Sequence, residues 1–178
     1  MKKDKKPWEV LPKVWSTEAK FMSYLRGVIR KGWSRYPIKA EFMKARRIRA
    51  TNPATGKQCF GFNCAMCKKF TPQSNVEIDH LVGNNQFKSV EDATSYLKAL
   101  LFIDFDDLQP LCKPCHRVKS YAERMGITFE EAEKTKMVIE MMKDKKKVDK
   151  LLAKHNLPCN NDKVRRASLE KLIEEDKL

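Results

Sequence analysis

Apolar positions recur along this chain at two periods, and the places where the period changes predict most of its elements. Phe21, Leu25, Val28 and Ile29 form one helical stripe behind the N-cap candidates Ser16 and Thr17, which predicts a helix stopping near Gly32. Pro37 opens a second helix, roughly Ile38 to Arg49, with Ile38, Phe42, Ala45 and Ile48 inside and Lys44, Arg46, Arg47 and Arg49 displayed. Asn52-Pro53-Ala54-Thr55-Gly56 reads as a turn, with a short strand from Cys59 to Phe62 behind it. An apolar alternation in Val76-Glu77-Ile78-Asp79-His80-Leu81-Val82 predicts another short strand, with Asp79 and His80 on opposite faces or at its twisted end, followed by a loop at Gly83-Asn84-Asn85. A helix capped at Ser89 then carries Ala93, Tyr96, Leu97, Leu100 and Leu101.

Helical spacing dominates the rest. A helix opens after Cys115 and runs to Arg124 or Met125, where Gly126 is placed to end it. Thr128 caps the next, with Glu130 and Glu131 in its first turn and Ala132, Met137, Val138 and Met141 on its apolar side. The lysine-rich stretch from Lys143 to Lys150 reads as a charged connection, with a short segment around Leu151 and Leu152 after it. A last helix, about Asp162 to Glu174, sets Val164, Leu169 and Leu172 or Ile173 against Arg165 and Arg166. These carboxy-terminal helices suit either a nucleic-acid-reading extension or a dimer contact.

Composition adds a class and a direction to this pattern. The 178 residues are 42% hydrophobic and 34% charged, the balance of a soluble globular protein. Pro7, Trp8 and Glu9 stand where a secretory segment needs a long apolar run, and no stretch reads as a membrane span, so the expectation is a cytoplasmic protein. The net charge of +14 is unevenly spread. Residues 1 to 58 hold sixteen Lys or Arg against four Asp or Glu, and the remainder is nearly balanced. The amino-terminal third therefore faces a polyanion. A basic arm over residues 1 to 15, with Trp8 and Trp15 available to anchor it, precedes a basic helical part over 16 to 58.

Cysteine spacing narrows the chemistry. Cys64-Ala65-Met66-Cys67 and Cys112-Lys113-Pro114-Cys115 are two tight turns, each presenting two thiolates to one side, and together they make the closed S4 set that zinc prefers. Cys59 and Cys159 are left as free thiols, in keeping with a reducing compartment.

Between the cysteine pairs lie Asp79-His80 and then Asp107-Leu108-Gln109-Pro110-Leu111, and His116 follows Cys115 directly. With DH followed by DLQPLCKPCHRVKS, the chain resembles the HNH endonucleases of the ββα-metal type in their four-cysteine zinc branch, which read DH and then NLQ-x-LC-x-x-CH-x-x-K. The resemblance implies His80 as general base, Asp79 and His116 as ligands of a catalytic magnesium or manganese ion, and Cys64, Cys67, Cys112 and Cys115 as ligands of a structural zinc. Asp107 stands where the family has an asparagine that orients the base; an aspartate there also accepts from an imidazole N–H, but it adds negative charge near a phosphate and could instead recruit the metal. Products would carry a 5′-phosphate and a 3′-hydroxyl. The free-standing members belong to phages and mobile elements, which points to a bacterial or phage-infected cell.

Phosphodiester hydrolysis asks for these residue types on its own account. It needs a base for water, a cation for the charge developing on phosphorus, and help for the departing oxygen. The expectation is therefore a mainly helical α+β chain, with a zinc-stabilised ββα-metal core over 59–125 that carries a helical insertion at 89–101, and a helical extension over 126–178. Its partner is DNA, gripped by Lys44, Arg46, Arg47, Arg49, Arg117 and Lys119, and a homodimer is compatible with the sequence. Two rivals keep the same zinc: a dimeric, junction-selective nuclease, and a non-catalytic zinc-bound nucleic-acid-binding module. A zinc deaminase is set aside, because His80 lacks the His-x-Glu partner and Leu111 separates Pro110 from Cys112.

Overall fold

The computed structural model describes residues 5–83 and 87–175. The opening of the basic arm, Met1 to Asp4, and most of the loop expected at Gly83-Asn84-Asn85 lie outside those residues. The chain is α+β and mainly helical, with small antiparallel sheets, and it divides into two compact units, Met1–Lys113 and Pro114–Leu178.

The first unit opens with a short helix α1 (Pro7–Val10) and then α2 (Glu18–Ser34) and α3 (Pro37–Arg46). Thr17 caps α2 by accepting the Lys20 N–H, as its side chain predicts. The helix runs past Gly32 to Ser34, because a single helical glycine costs only about 1 kcal/mol and nothing forces a stop before the Tyr36-Pro37 step. Trp8 and Trp15 both pack on Phe21, with ring centroids 5.8 and 5.3 Å away.

The helix expected to continue to Arg49 instead ends at Arg46, and Ile48–Thr51 form strand β1. Arg47 has already turned to extended backbone, with ψ 142. The reason is non-local. β1 pairs antiparallel with β2 (Gln58–Asn63) through Ile48↔Gly61 to Thr51↔Gln58, and the intervening turn is closed by Asn52 and by Gly56 at φ +70. β3 (Phe70–Pro72) pairs with the other end of β2, giving the order β1-β2-β3. A second sheet consists of β4 (Val76–His80) and β5 (Leu108–Cys112), antiparallel in the register His80↔Leu108 to Val76↔Cys112.

Helix α4 (Ala93–Leu101) lies between β4 and β5 in sequence. It begins later than the Ser89 cap predicts, because Asp92 accepts the Lys88 and Ser89 N–H groups and turns that segment into an entry loop. Phe42, Phe62, Ile78 and Leu108 are buried together, and Met22, Phe87 and Tyr96 form a separate core.

In the second unit, α5 (Lys113–Met125) starts one residue before the boundary, and Gly126 at φ +67 ends it. Thr128 and Glu131 make a reciprocal capping box at the start of α6 (Phe129–Met141). The stretch expected as a charged connection is a helix, α7 (Lys145–Lys154), capped by Asp144. Its lysines face water while Val148 and Leu152 enter a core with Val138, Leu169 and Leu172. The last helix, α8 (Asp162–Glu174), matches its predicted span and is capped by Asn161. Arg165 of α8 forks onto Asp149 of α7 at 2.6 and 3.1 Å.

Candidate metal centre

The first CxxC turn sits at the end of β2, and backbone bonds shape it before any metal is considered. The Lys68 N–H reaches the Cys64 carbonyl at 2.9 Å, the Cys64 N–H reaches Lys69, and the Ala65 N–H crosses to the Pro110 carbonyl of β5 at 2.8 Å. Lys68 holds φ +60, a left-handed position that reverses the chain into β3. Cys112 is the last residue of β5, and Cys115 lies in the first turn of α5.

The sulfurs of Cys64, Cys67, Cys112 and Cys115 all lie within 4.8 Å of one another. A tetrahedral zinc site with bonds of about 2.3 Å has sulfur–sulfur edges of about 3.8 Å. The Cys67–Cys112 separation is 4.0 Å, so the donor set fits such an ion, and these residues could hold zinc. Burial pushes the Cys64 thiol up, but the Cys112, Cys67 and Met66 amides and the Cys67 thiol outweigh it and bring it from 9.0 down to about 7. The Cys112 N–H lies 3.4 Å from the Cys64 sulfur. Among the described residues, no other group of three or more His, Cys, Asp or Glu comes together in this way.

His80 ends β4. Its Nε2 lies 3.1 Å from the Leu100 carbonyl of α4, and a carbonyl only accepts, so in the neutral ring Nε2 carries the proton and Nδ1 the lone pair. The Trp33 ring stacks against the imidazole, with centroids 4.3 Å apart and a tilt of 38°. The buried Gln109 donates to the His80 carbonyl at 3.2 Å. Two contacts thus fix the ring, and a third fixes its backbone.

Asp79 precedes His80 on the opposite side of the strand, together with Glu77. Lys39 is close to both carboxylates: burial lowers its ammonium pKa, and Glu77 and then Asp79 oppose the shift. The Lys39 ammonium also lies 4.8 Å from the centre of the Trp33 ring. Trp33, Lys39 and the Leu100 carbonyl escape sequence reasoning, since none belongs to a motif and each meets β4 from a distant helix.

Asp107 is exposed, and its carboxylate accepts the Asp104 N–H at 2.9 Å, while its carbonyl accepts the Leu81 N–H at 2.8 Å. It therefore ties the loop before β5 to the residue after His80. His116 is half-buried in the first turn of α5, beside the exposed Arg117. Lys119 is 7% exposed, with its ammonium on Glu123, whereas Lys44, Arg46, Arg47 and Arg49 are exposed. Arg46 comes 4.0 Å from Asp106, and the Arg47 guanidinium lies over the Phe60 ring at 4.1 Å. No helix among the described residues is long and apolar enough to cross a membrane. Comparison with protein-family models, with curated proteins and with solved structures gave no match.

Proposed function

We propose that this chain is a divalent-metal-dependent DNA endonuclease of the HNH kind, on a zinc-stabilised ββα-metal core. One observation carries the reading. Asp79-His80 end the first strand of an antiparallel pair, and the second strand leads through Cys112, Cys115 and His116 into a helix, with four sulfurs gathered beside the run. A closed four-thiolate set has no open position for water, so its zinc is structural.

In this reading Asp79 and His116 would hold magnesium or manganese, which would neutralise charge on the phosphate and on the departing oxygen. His80, with its Nε2 proton on the Leu100 carbonyl, accepts a proton from the attacking water at Nδ1. Trp33 restricts rotation of that ring, and Gln109 and Asp107 hold the peptide that follows it, one at the His80 carbonyl and the other at the Leu81 N–H. Asp107 acts through its loop rather than through the imidazole, a role that an asparagine fills equally well. The cations of the amino-terminal third hold the DNA backbone.

A second reading, a zinc-bound DNA binder without cleavage, draws on the Asp107 carboxylate being engaged by its own loop. Incubation of supercoiled plasmid with magnesium, with manganese, or with neither separates the two. The nuclease gives cation-dependent nicked or linear DNA with 5′-phosphate ends. Retention on DNA without cleavage under either cation overturns it in favour of the binder.

A further inference from the structure

β3 pairs only with Gly61–Asn63 of β2, while β1 pairs with Gln58–Gly61. The outer part of this hairpin, Arg49–Thr51 against Gln58–Phe60, is therefore a two-stranded ribbon. Its base is held close, because a Cβ on Gly61 would lie 2.3 Å from the Thr71 carbonyl oxygen and 2.6 Å from the Phe70 ring. Its tip is closed by the Asn52 side chain on the Ala54 N–H at 2.9 Å and by the Asn52 N–H on the Lys57 carbonyl at 2.8 Å.

Directly opposed residues, and residues two apart, share one face of a sheet. Arg49 opposes Phe60 and Thr51 opposes Gln58, so these four lie on the same face, and all four are exposed. The Gln58 amide donates to the Thr51 hydroxyl at 2.8 Å, which sets its orientation. Arg47 extends the row by lying over Phe60. Charge is one-sided here, since the chain from Glu41 to Glu77 holds seven Lys or Arg between those two residues and no Asp or Glu. Among the described residues, no carboxylate pairs with Arg47, Arg49 or Lys57.

We propose that this ribbon enters the major groove of duplex DNA and reads base edges with Arg49, Thr51 and Gln58. The inference deepens the DNA reading above and rests on it only for the identity of the ligand. The groove is about 12 Å wide and admits a two-stranded ribbon, whose strands are about 4.8 Å apart. Four register pairs at about 3.4 Å per residue span three to four base pairs. The Arg49 fork matches guanine O6 and N7. Gln58, with one N–H given to Thr51, keeps a second N–H and its carbonyl for adenine N7 and N6. Phe60 offers an apolar edge to a thymine methyl, and Arg47 and Lys57 are placed for flanking phosphates. A-form RNA closes its major groove to side chains, which selects DNA over duplex RNA.

The test is selection of random duplex DNA by the full chain, purified with zinc and bound without added magnesium or manganese, followed by affinity measurements on the enriched site. The parent should enrich a short site, lose affinity when its purines are replaced by 7-deazapurines, and bind the same sequence as duplex RNA far more weakly. Arg49→Ala and Gln58→Ala, with unchanged thermal midpoints, should each relax preference at one position by about ten- to a hundredfold. Failure to enrich a site, indifference of the parent to 7-deazapurines, equal affinity for duplex RNA, or parental preferences in both variants overturns the ribbon. Absence of cleavage with site preference intact counts against the nuclease reading alone, and cleavage without site preference counts against the ribbon alone.

Discussion

Cys64→Ser and Cys67→Ser each remove one thiolate from the same cluster, yet the structure predicts unequal losses. Cys64 is 1% exposed and accepts the Cys112 N–H at 3.4 Å, whereas Cys67 is exposed. Where Cys67 is replaced, water or the new hydroxyl enters easily. Where Cys64 is replaced, the part-buried Cys112 amide also loses its sulfur acceptor, a further cost of about 1–2 kcal/mol. The Kd for zinc should therefore be about five- to thirtyfold higher in Cys64→Ser than in Cys67→Ser. Both should fall well below the parent. Structural zinc contributes about 10–16 kcal/mol in small domains, as much as the whole stability of many folds, so chelation should unfold the turns around the cluster. The core of Val138, Val148, Leu152, Leu169 and Leu172 contains none of the four ligands and should melt separately. Zinc per chain, competition with a chromophoric chelator and circular-dichroism melts read all three quantities. Parental zinc content and melting in both variants would refute the four-thiolate site, and a weaker Cys67→Ser than Cys64→Ser would refute the burial argument.

Leu152→Ala, at a fully buried position, should cost the second unit about 2–5 kcal/mol in denaturant unfolding and leave zinc content unchanged; a loss below about 0.5 kcal/mol would contradict the packing described. Trp33→Ala should lower kcat by about two- to twelvefold, the worth of one aromatic contact, with DNA affinity unchanged and Trp33→Phe recovering most of it; parental kcat in the alanine variant would remove Trp33 from the positioning of His80. Hydrogen bonding by Arg165 and its charge hold the Asp149 carboxyl below its usual 3.8, so this pair stabilises the second unit above that pH and its contribution is lost as pH falls through the lower folded value. Arg165→Ala should accordingly shift acid unfolding to higher pH, and coincident acid-unfolding curves would contradict the pairing.

Local signals predicted local structure well. Thr17, Thr128 and Gly126 mark helix ends because caps and positive-φ stops act within a turn, and the two CxxC spacings anticipated a sulfur cluster because each pair is a short-range unit. Misreadings came where distant partners decide. Ile48 and Arg49 continue the helical spacing of α3, yet pairing with Phe60 and Gly61 draws them into β1. Lys145 to Lys147 read as a charged connection, but Val148 and Leu152 supply a stripe whose worth depends on Leu169 and Leu172 of another helix. The surroundings of His80 were likewise illegible, since Trp33 and Leu100 reach it from elements far away in sequence.

Plasmid cleavage by His80→Ala tests the central claim most directly. The zinc-loaded variant, compared with the parent in magnesium, should retain its fold, its zinc and its affinity for DNA, because a general base acts in the transition state and adds little to phosphate binding. Its cleavage rate should fall by about a hundredfold or more. Parental turnover in His80→Ala would contradict the account.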